Sequence, residues 1–337
     1  MYNTLEFKGK DQTMPAETTA LLRKLGKTDI KITPIGLGMM EFSGGGGLMG
    51  VAFPAISQEE KNATVRAALE GGINWFDTAE LYGKGVSEAS LATALKAAGK
   101  SDQEVVVATK WWPLLRTARN IPRTIQDRIR FLDGYSISLY MVHQPFSFSS
   151  PEVEMDAMVD LVEAGKIRSV GVSNFNSERM RRAHHQLKKH GLPLAANQVL
   201  YSLLDRSIET NGILDTAKEL GVTIIAYTPL ALGLLTGKYH KNPELLQKKS
   251  FFWRGRLQSG LKKSRPLVQA MEEIGARYNA TPAQVALNWV IHFHGESIVT
   301  IPGATKAYQA EESAGALKFK LATDELAWLD ELSRGNR

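Results

Sequence analysis

The stretch SGGGGLMG, residues 43–50, fits the pattern G-x-G-x-x-G at Gly45, Gly47 and Gly50. Taken as a dinucleotide fingerprint, it would make the chain a doubly wound Rossmann sheet. Such a turn must lead from a strand straight into a helix, with a strand ending in an acid about 20 residues further on. Here Gly50 leads into VAFPAIS, where Pro54 and a capping Ser57 place the helix start well downstream. Glu70, near the required distance, falls at a helix end. The match is an accident of a glycine-rich loop, so the fold must be read from the rest of the chain.

The rest is regular. Eight short runs rich in β-branched and aromatic residues occupy positions 33–39, 73–79, 104–110, 136–143, 167–174, 195–202, 222–229 and 297–304. Most are continuous apolar runs, as expected for strands covered on both faces. Helical patterns fill the gaps. Ser57 with Glu60 forms a capping box, and Pro151 follows a cap at Ser150. Pro282 follows one at Thr281, and glycines 71, 99, 191 and 221 supply stops. Alternation about every thirty residues predicts one (β/α)8 barrel of class α/β over residues 1–337, with a doubly wound sheet as the alternative. Residues 21–32 predict a β-hairpin before the first strand, residues 1–20 a flexible extension, and the chain's end further helices. Residues 237–265 read as an oversized loop.

Composition narrows the classes. The 337 residues are 43% hydrophobic and contain no cysteine, which excludes disulfides, thiolate metal sites and cysteine nucleophiles. A net charge of +6 is spread along a chain of mixed signs and reads as a basic solvated surface, not a nucleic-acid patch. The N-terminus lacks an apolar signal core, and the most apolar window, residues 222–235, is too short to span a membrane and contains Pro229. A soluble cytoplasmic protein is expected. The histidines at 184, 185, 190, 292 and 294 form no H-E-x-x-H, and no metal is expected.

In barrels, chemistry sits at the C-terminal ends of strands. Those ends carry Asp77, Lys110 and His143 on consecutive strands, with Tyr82 five residues past Asp77 in FDTAELYG. Each has an ordinary structural explanation alone; together they suit one task. Reducing a carbonyl leaves charge on oxygen, which needs a general acid. A phenol of pKa about 10 donates sluggishly, and a nearby ammonium is expected to lower that value. The carboxylate keeps the ammonium charged, and the imidazole can hold the carbonyl oxygen.

At these residues the sequence resembles the aldo-keto reductases. FDTAELYG, VVVATKW and YMVHQP are similar to the segments that carry that family's Asp, Tyr, Lys and His tetrad. GKIRSVGVSNF, AYTPLALGLLTGKY and IPGATKAYQAEE are similar to further family signatures, and the resemblance runs from about Leu21 to Leu332. It implies a (β/α)8 barrel binding NADP(H) across its C-terminal face. Carried over, it implies contacts to the nicotinamide end from Gly38, Met39, Ser173, Asn174, Gln198 and Tyr227. The pyrophosphate would be lined by Thr228, Pro229, Leu230, Gly233 and Lys238. The adenosine end would be held by Gly303, Thr305, Lys306, Gln309 and Glu312, with Lys306 as partner for a 2′-phosphate.

Trp111, Trp112 and Met40 are expected at an apolar substrate mouth that admits a small carbonyl compound with a hydrophobic or aromatic body. The basic run with Phe251, Phe252, Trp253, Arg254 and Arg256 reads as a lid over the pyrophosphate. Several positions depart from the common family pattern: Met39-Met40, the glycine run of the first loop, Gln144 and Ser313. A cofactor-binding subunit with little turnover, as in the β-subunits of potassium channels, is the alternative function. Either a monomer or a homo-oligomer is compatible with the resemblance.

Overall fold

The computed structural model describes residues 21–44, 55–247 and 251–336, and only the backbone of residues 251–253, 256 and 336. The expected extension at 1–20 and most of the glycine run lie outside the described residues. The first described element is the antiparallel hairpin of β1 (Arg23–Lys24) and β2 (Lys31–Ile32). Eight parallel strands follow: β3 (Leu37–Gly38), β4 (Trp75–Asp77), β5 (Val106–Trp111) and β6 (Leu139–Val142), then β7 (Val170–Ser173), β8 (Leu194–Leu200), β9 (Thr223–Tyr227) and β10 (Ile298–Ile301). Each pairs with its neighbour in sequence.

Parallel bridges Ile35–Thr300 and Gly38–Gly303 join the first strand to the last and close the sheet. The amide of Gly38 donates to the carbonyl of Pro302 across this seam at 3.0 Å. A glycine eases so close a crossing, because a Cβ at residue 38 would stand 3.0 Å from the carbonyl oxygen of Ile301 and press the strands apart. The result is the barrel expected from the alternation, not the doubly wound sheet.

The continuous apolar runs resolve into two cores because side chains alternate along a strand. Outward residues such as Phe76, Val107, Trp111, Tyr140, Val142, Val172 and Ile224 pack under the helices. Inward residues Trp75, Ala108, Leu139, Met141, Ala196, Ile225 and Val299 fill the barrel with Leu25, Ile30 and Ile32 of the hairpin. The hairpin therefore plugs one end. Trp75 and Asp77, Ala108 and Lys110, Met141 and His143 lie two apart, so the next inward layer at the other end is polar.

The outer helices include α1 (Gln58–Glu70), which carries the full Ser57–Glu60 capping box, and α2 (Val86–Ala97). Next come α3 (Ile121–Leu132), α4 (Pro151–Glu163), α5 (Ser177–Lys189), α6 (Ile213–Leu220) and the short α7 (Lys238–Lys241). α8 (Phe251–Tyr278) and α9 (Pro282–His292) precede β10, and α10 (Ala307–Gly315) and α11 (Thr323–Ser333) follow it.

The oversized loop expected after residue 237 is largely helical. α8 runs through Pro266 because Leu257, Leu267, Val268, Met271 and Ile274 keep a helical period and are buried. Leu257 packs with Leu234, Tyr239 and Leu246, which ties α8 to the loop after β9. The side chains of Phe251, Phe252, Trp253 and Arg256, on which the lid rests, lie outside the described residues.

Candidate active site

The polar layer opens into a cavity of about 430 Å³ at the C-terminal rim. Asp77 ends β4 and Lys110 is one residue from the end of β5. Their register brings the ammonium 2.5 Å from Asp77 Oδ1, with both side chains buried. Lys110 Nζ also donates to the carbonyl of Thr78 at 2.8 Å, and Gln198 Nε2 donates to Asp77 Oδ2 at 2.9 Å. The pair is thus hydrogen-bonded on several sides, as a buried ion pair must be. Burial pushes the Asp77 carboxyl up and the Lys110 ammonium down, and each is the main counterweight to the other.

Tyr82 sits in the turn after β4, which is fixed to β5 by Glu80. The Glu80 amide donates to the Lys110 carbonyl at 3.1 Å. Its carboxylate accepts from the Trp112 amide at 2.9 Å and from Arg116 at 2.7 Å. The Lys110 ammonium lies 5.1 Å from the centre of the Tyr82 ring. His143, one residue past β6, stands edge-on to Tyr82 at 5.7 Å and to Trp112 at 5.3 Å. The four tetrad residues are therefore brought to one rim.

The expected lowering of the Tyr82 phenol is not what the surroundings produce. Burial raises it well above its ordinary value, helped by Asp77 and Glu41. Asp77 lies against the ammonium and opposes the field that Lys110 alone would exert. Burial, with Lys110, holds His143 well below its ordinary value, so the ring is neutral, and its Nδ1 is buried without a partner.

The opposite wall comes from the next strands. Ser173 Oγ donates to the carbonyl of Gln198 at 3.0 Å, and Asn174 Nδ2 donates to Ser173 Oγ at 3.0 Å. The Tyr227 hydroxyl donates to Asn174 Oδ1 at 3.1 Å. Thr228, Pro229, Leu230, Gly233 and Lys238 continue the wall from the loop after β9. Gly303, Gln309 and Glu312 line it from the β10–α10 side, and Gly38, Met39 and Met40 from β3. Asn174, Thr228 and Leu232 hold left-handed backbone with φ of 60°, 55° and 58°. Such strain, of order 1–3 kcal/mol per residue, gathers at binding sites.

Four expected residues do not line the cavity. Lys110 lies beneath it, against Asp77 and under the Tyr82 ring. Trp111 alternates with Lys110, points outward into the helix-facing core and donates to Asn120 Oδ1 at 3.0 Å; its expected place at the substrate mouth is corrected. Thr305 bonds Gln309 Oε1 through its amide at 2.8 Å, and Lys306 is paired with Glu60 of α1 on the surface. Glu41, Leu81, Leu232, Thr236, Ile301 and Pro302 line the cavity without having been singled out. Leu81 lies inside FDTAELYG and could have been found there; a lone acid such as Glu41 gives no such signal. Among the described residues no group of three or more His, Asp or Glu could hold a metal, and no helix is long and apolar enough to cross a membrane.

A closed parallel barrel with this cluster at its rim is the architecture of one class of carbonyl oxidoreductase. The chain belongs to the aldo/keto reductase family, which residues 34–334 match. Among its relatives, pyridoxal reductase, chloroplastic, of Arabidopsis thaliana is 32% identical over 321 residues, covering 91% of this chain and 85% of that protein. Aldo-keto reductase str7 of Strobilurus tenacellus is 33% identical over 323 residues, covering 92% and 91%. Of solved structures, a thermostable aldo-keto reductase in complex with the inhibitor epalrestat is similar with a TM-score of 0.73 and 28% identity, covering 93% of this chain and 99% of that one. An aldo-keto reductase from Klebsiella pneumoniae in complex with NADPH gives 0.71 and 26%, covering 92% and 94%.

Proposed function

We propose that the protein reduces aldehydes or ketones to alcohols at the expense of NADPH, with Tyr82 as the proton donor. One observation carries this reading: the buried Lys110–Asp77 pair lies under the Tyr82 ring beside a neutral His143, at the mouth of a cavity walled by Ser173, Asn174, Gln198 and Tyr227. The donor set suits a nicotinamide dinucleotide. Two side-chain amides and a hydroxyl match a carboxamide, Tyr227 offers an aromatic face, and the strained backbone of residues 228–233 brings main chain to the cleft. Lys306 is the residue assigned to a 2′-phosphate. Its exposed pair with Glu60 is weak in water and exchangeable for a phosphate.

The bound cofactor supplies the hydride. The chain's own groups do the rest. His143, neutral, donates from one ring nitrogen to the substrate carbonyl oxygen and orients it. The Tyr82 phenol, held protonated by burial, passes its proton to that oxygen as charge develops there. Lys110 then stabilises the tyrosinate left behind, and Asp77 keeps the ammonium in place. Trp112, Met40, Leu81 and Gln144 form the side that receives the substrate body, which favours aldehydes with a hydrophobic or aromatic portion.

Loss of NADPH absorbance with a panel of aldehydes tests the reading. Turnover abolished in Tyr82→Phe but not in a surface variant supports it. Tight NADPH retention with negligible turnover across the panel would favour a cofactor-binding subunit instead. Comparing KM for NADPH and NADH, in wild type and in Lys306→Ala, tests the phosphate preference; equal values in the wild type would overturn it.

A further inference from the structure

Glu41 is the one acidic side chain of the first βα turn that reaches the cavity, and neither the tetrad nor the expected cofactor contacts use it. It lies in the short turn Met40–Ser43 directly after β3, beside the seam where β3 meets β10. Its carboxyl lies flat on Gly303, whose missing side chain makes the room; a Cβ there would overlap both carboxyl oxygens. Oε2 is buried and accepts no hydrogen bond.

The charged and titratable groups around it do not compensate it. Asp77 and Tyr82 face the cavity from the β4 side, His143 from β6, Tyr227 and Lys238 from the β9 side, and Glu312 from α10. Lys110 is bound to Asp77, and Lys61 of α1 donates instead to the Phe42 carbonyl at 3.2 Å and Ser90 Oγ at 2.8 Å. Burial pushes the Glu41 carboxyl up to about 7, and the one contact that opposes it is with the residue's own backbone amide.

A dinucleotide entering this cleft brings a diphosphate. An ionised carboxylate with no cation beside it in the same low-dielectric space would repel it, whereas a neutral carboxyl offers a donor. Resting on the cofactor reading above, we propose that Glu41 meets the dinucleotide as a neutral carboxylic acid, donating its hydroxyl to an oxygen of the ribose–diphosphate backbone, so that binding at alkaline pH takes up one proton from solution. Protonation also removes a negative charge that opposes ionisation of Tyr82. Glu41 is thus a binding residue for the cofactor whose charge state sets affinity.

Fluorescence titrations with NADPH and NADH from pH 6.5 to 9, on wild type and Glu41→Gln, read the effect. Wild-type Kd should be flat below about pH 7 and rise toward tenfold per pH unit above it, while Glu41→Gln stays tight and flat, so that the two differ by about thirtyfold at pH 8.5. The 2′-phosphate of NADPH ionises near 6 with the opposite sign, and NADH, which lacks it, should show the same slope. Calorimetry of the wild type in buffers of different ionisation heat should give an uptake of about one proton at pH 8.5, a measurement that needs no variant. A flat wild-type profile without proton uptake would overturn the proposal, as would a variant with the wild-type slope. A variant that binds more weakly at every pH would overturn it too, and would show that the carboxylate accepts from a ribose hydroxyl. Failure of the wild type to bind either nucleotide at any pH would instead remove the cofactor reading, and this one with it.

Discussion

Lys110 is buried with its ammonium against Asp77, and the phenol it supports is raised, not lowered. Tyr82 therefore stays protonated through the neutral range, the state a reductase needs before each turnover. Tyr82→Phe removes one oxygen and leaves the ring and the ion pair in place. NADPH affinity by fluorescence should change less than threefold, while single-turnover reduction falls by about 10²–10⁴. Lys110→Met leaves Asp77 buried and unpaired, so it should lose both turnover and thermal stability; loss of turnover alone would show that the pair is not needed for the fold. At this scale the meeting of Asp77, Tyr82, Lys110 and His143 at one rim was legible because chemically complementary types recur at consecutive strand ends. Trp111 was misplaced because it and Trp112 look alike in sequence, yet Trp111 follows inward-facing Lys110 and must turn outward. Glu41 was illegible because one acid after a strand looks the same whether solvated or trapped.

Elements were read best where their signals are local. The Ser57–Glu60 and Thr281–Gln284 boxes cap helices as expected. α3 was not singled out, although Ile121, Ile125 and Leu132 are buried at helical spacing. α8 was hidden by Gly255, Gly260 and Pro266, which punctuate a period that its packing against residues 234–246 sustains. The seam between α2 and α3 offers a test of energetics. Glu88 is fully buried, accepts from Thr109 Oγ1 at 2.6 Å and faces Arg128 at 3.2 Å. Burial nevertheless pushes its carboxyl up to about 7, outweighing Arg128 and Thr109. A carboxyl raised in the folded state holds its proton where the unfolded chain has lost it. Its stabilisation is complete below about pH 4.5 and fades as pH rises to 7. Glu88→Gln should match the wild type near pH 4 and gain on it, by up to ~3 kcal/mol, by pH 8. Urea unfolding at the two pH values reads this, and a variant that loses ground with rising pH would show that the ion pair outweighs the burial cost.

Over the whole molecule, the chain closes the barrel at β3 and β10 and then locks its end against the sheet through one cation. Arg206, in the loop after β8, is fully buried between Trp289 and Phe293, 4.9 and 5.1 Å from their ring centres. Its guanidinium donates to both oxygens of Glu209 at 2.9 and 2.7 Å, to Ser333 Oγ at 2.8 Å, and pairs with Asp330 of α11 at 2.7 Å. Three distant parts of the sequence, near residues 206, 290 and 330, meet on this group. No local pattern announces such a meeting, which is why the fold class was legible and this anchor was not. Burial pushes Glu209 up, but His294, Arg206 and Tyr201 outweigh it and hold the carboxyl well below its ordinary value. Arg206→Ala removes the buried cation that Glu209 and Asp330 share, leaving Asp330 to Arg334 and Glu209 to His294 and Tyr201, and should cost about 3–5 kcal/mol, a fall in Tm of about 4–7 °C. Arg206→Lys keeps the charge but not the planar fork, and should recover only part of the loss. Because a depressed carboxyl stabilises above its unfolded pKa and loses that contribution as pH falls below it, the gap between wild type and Arg206→Ala should narrow below about pH 4.5. A gap unchanged from pH 7 to pH 3 would show that Arg206 acts by packing on Trp289 and Phe293 and not by its charge.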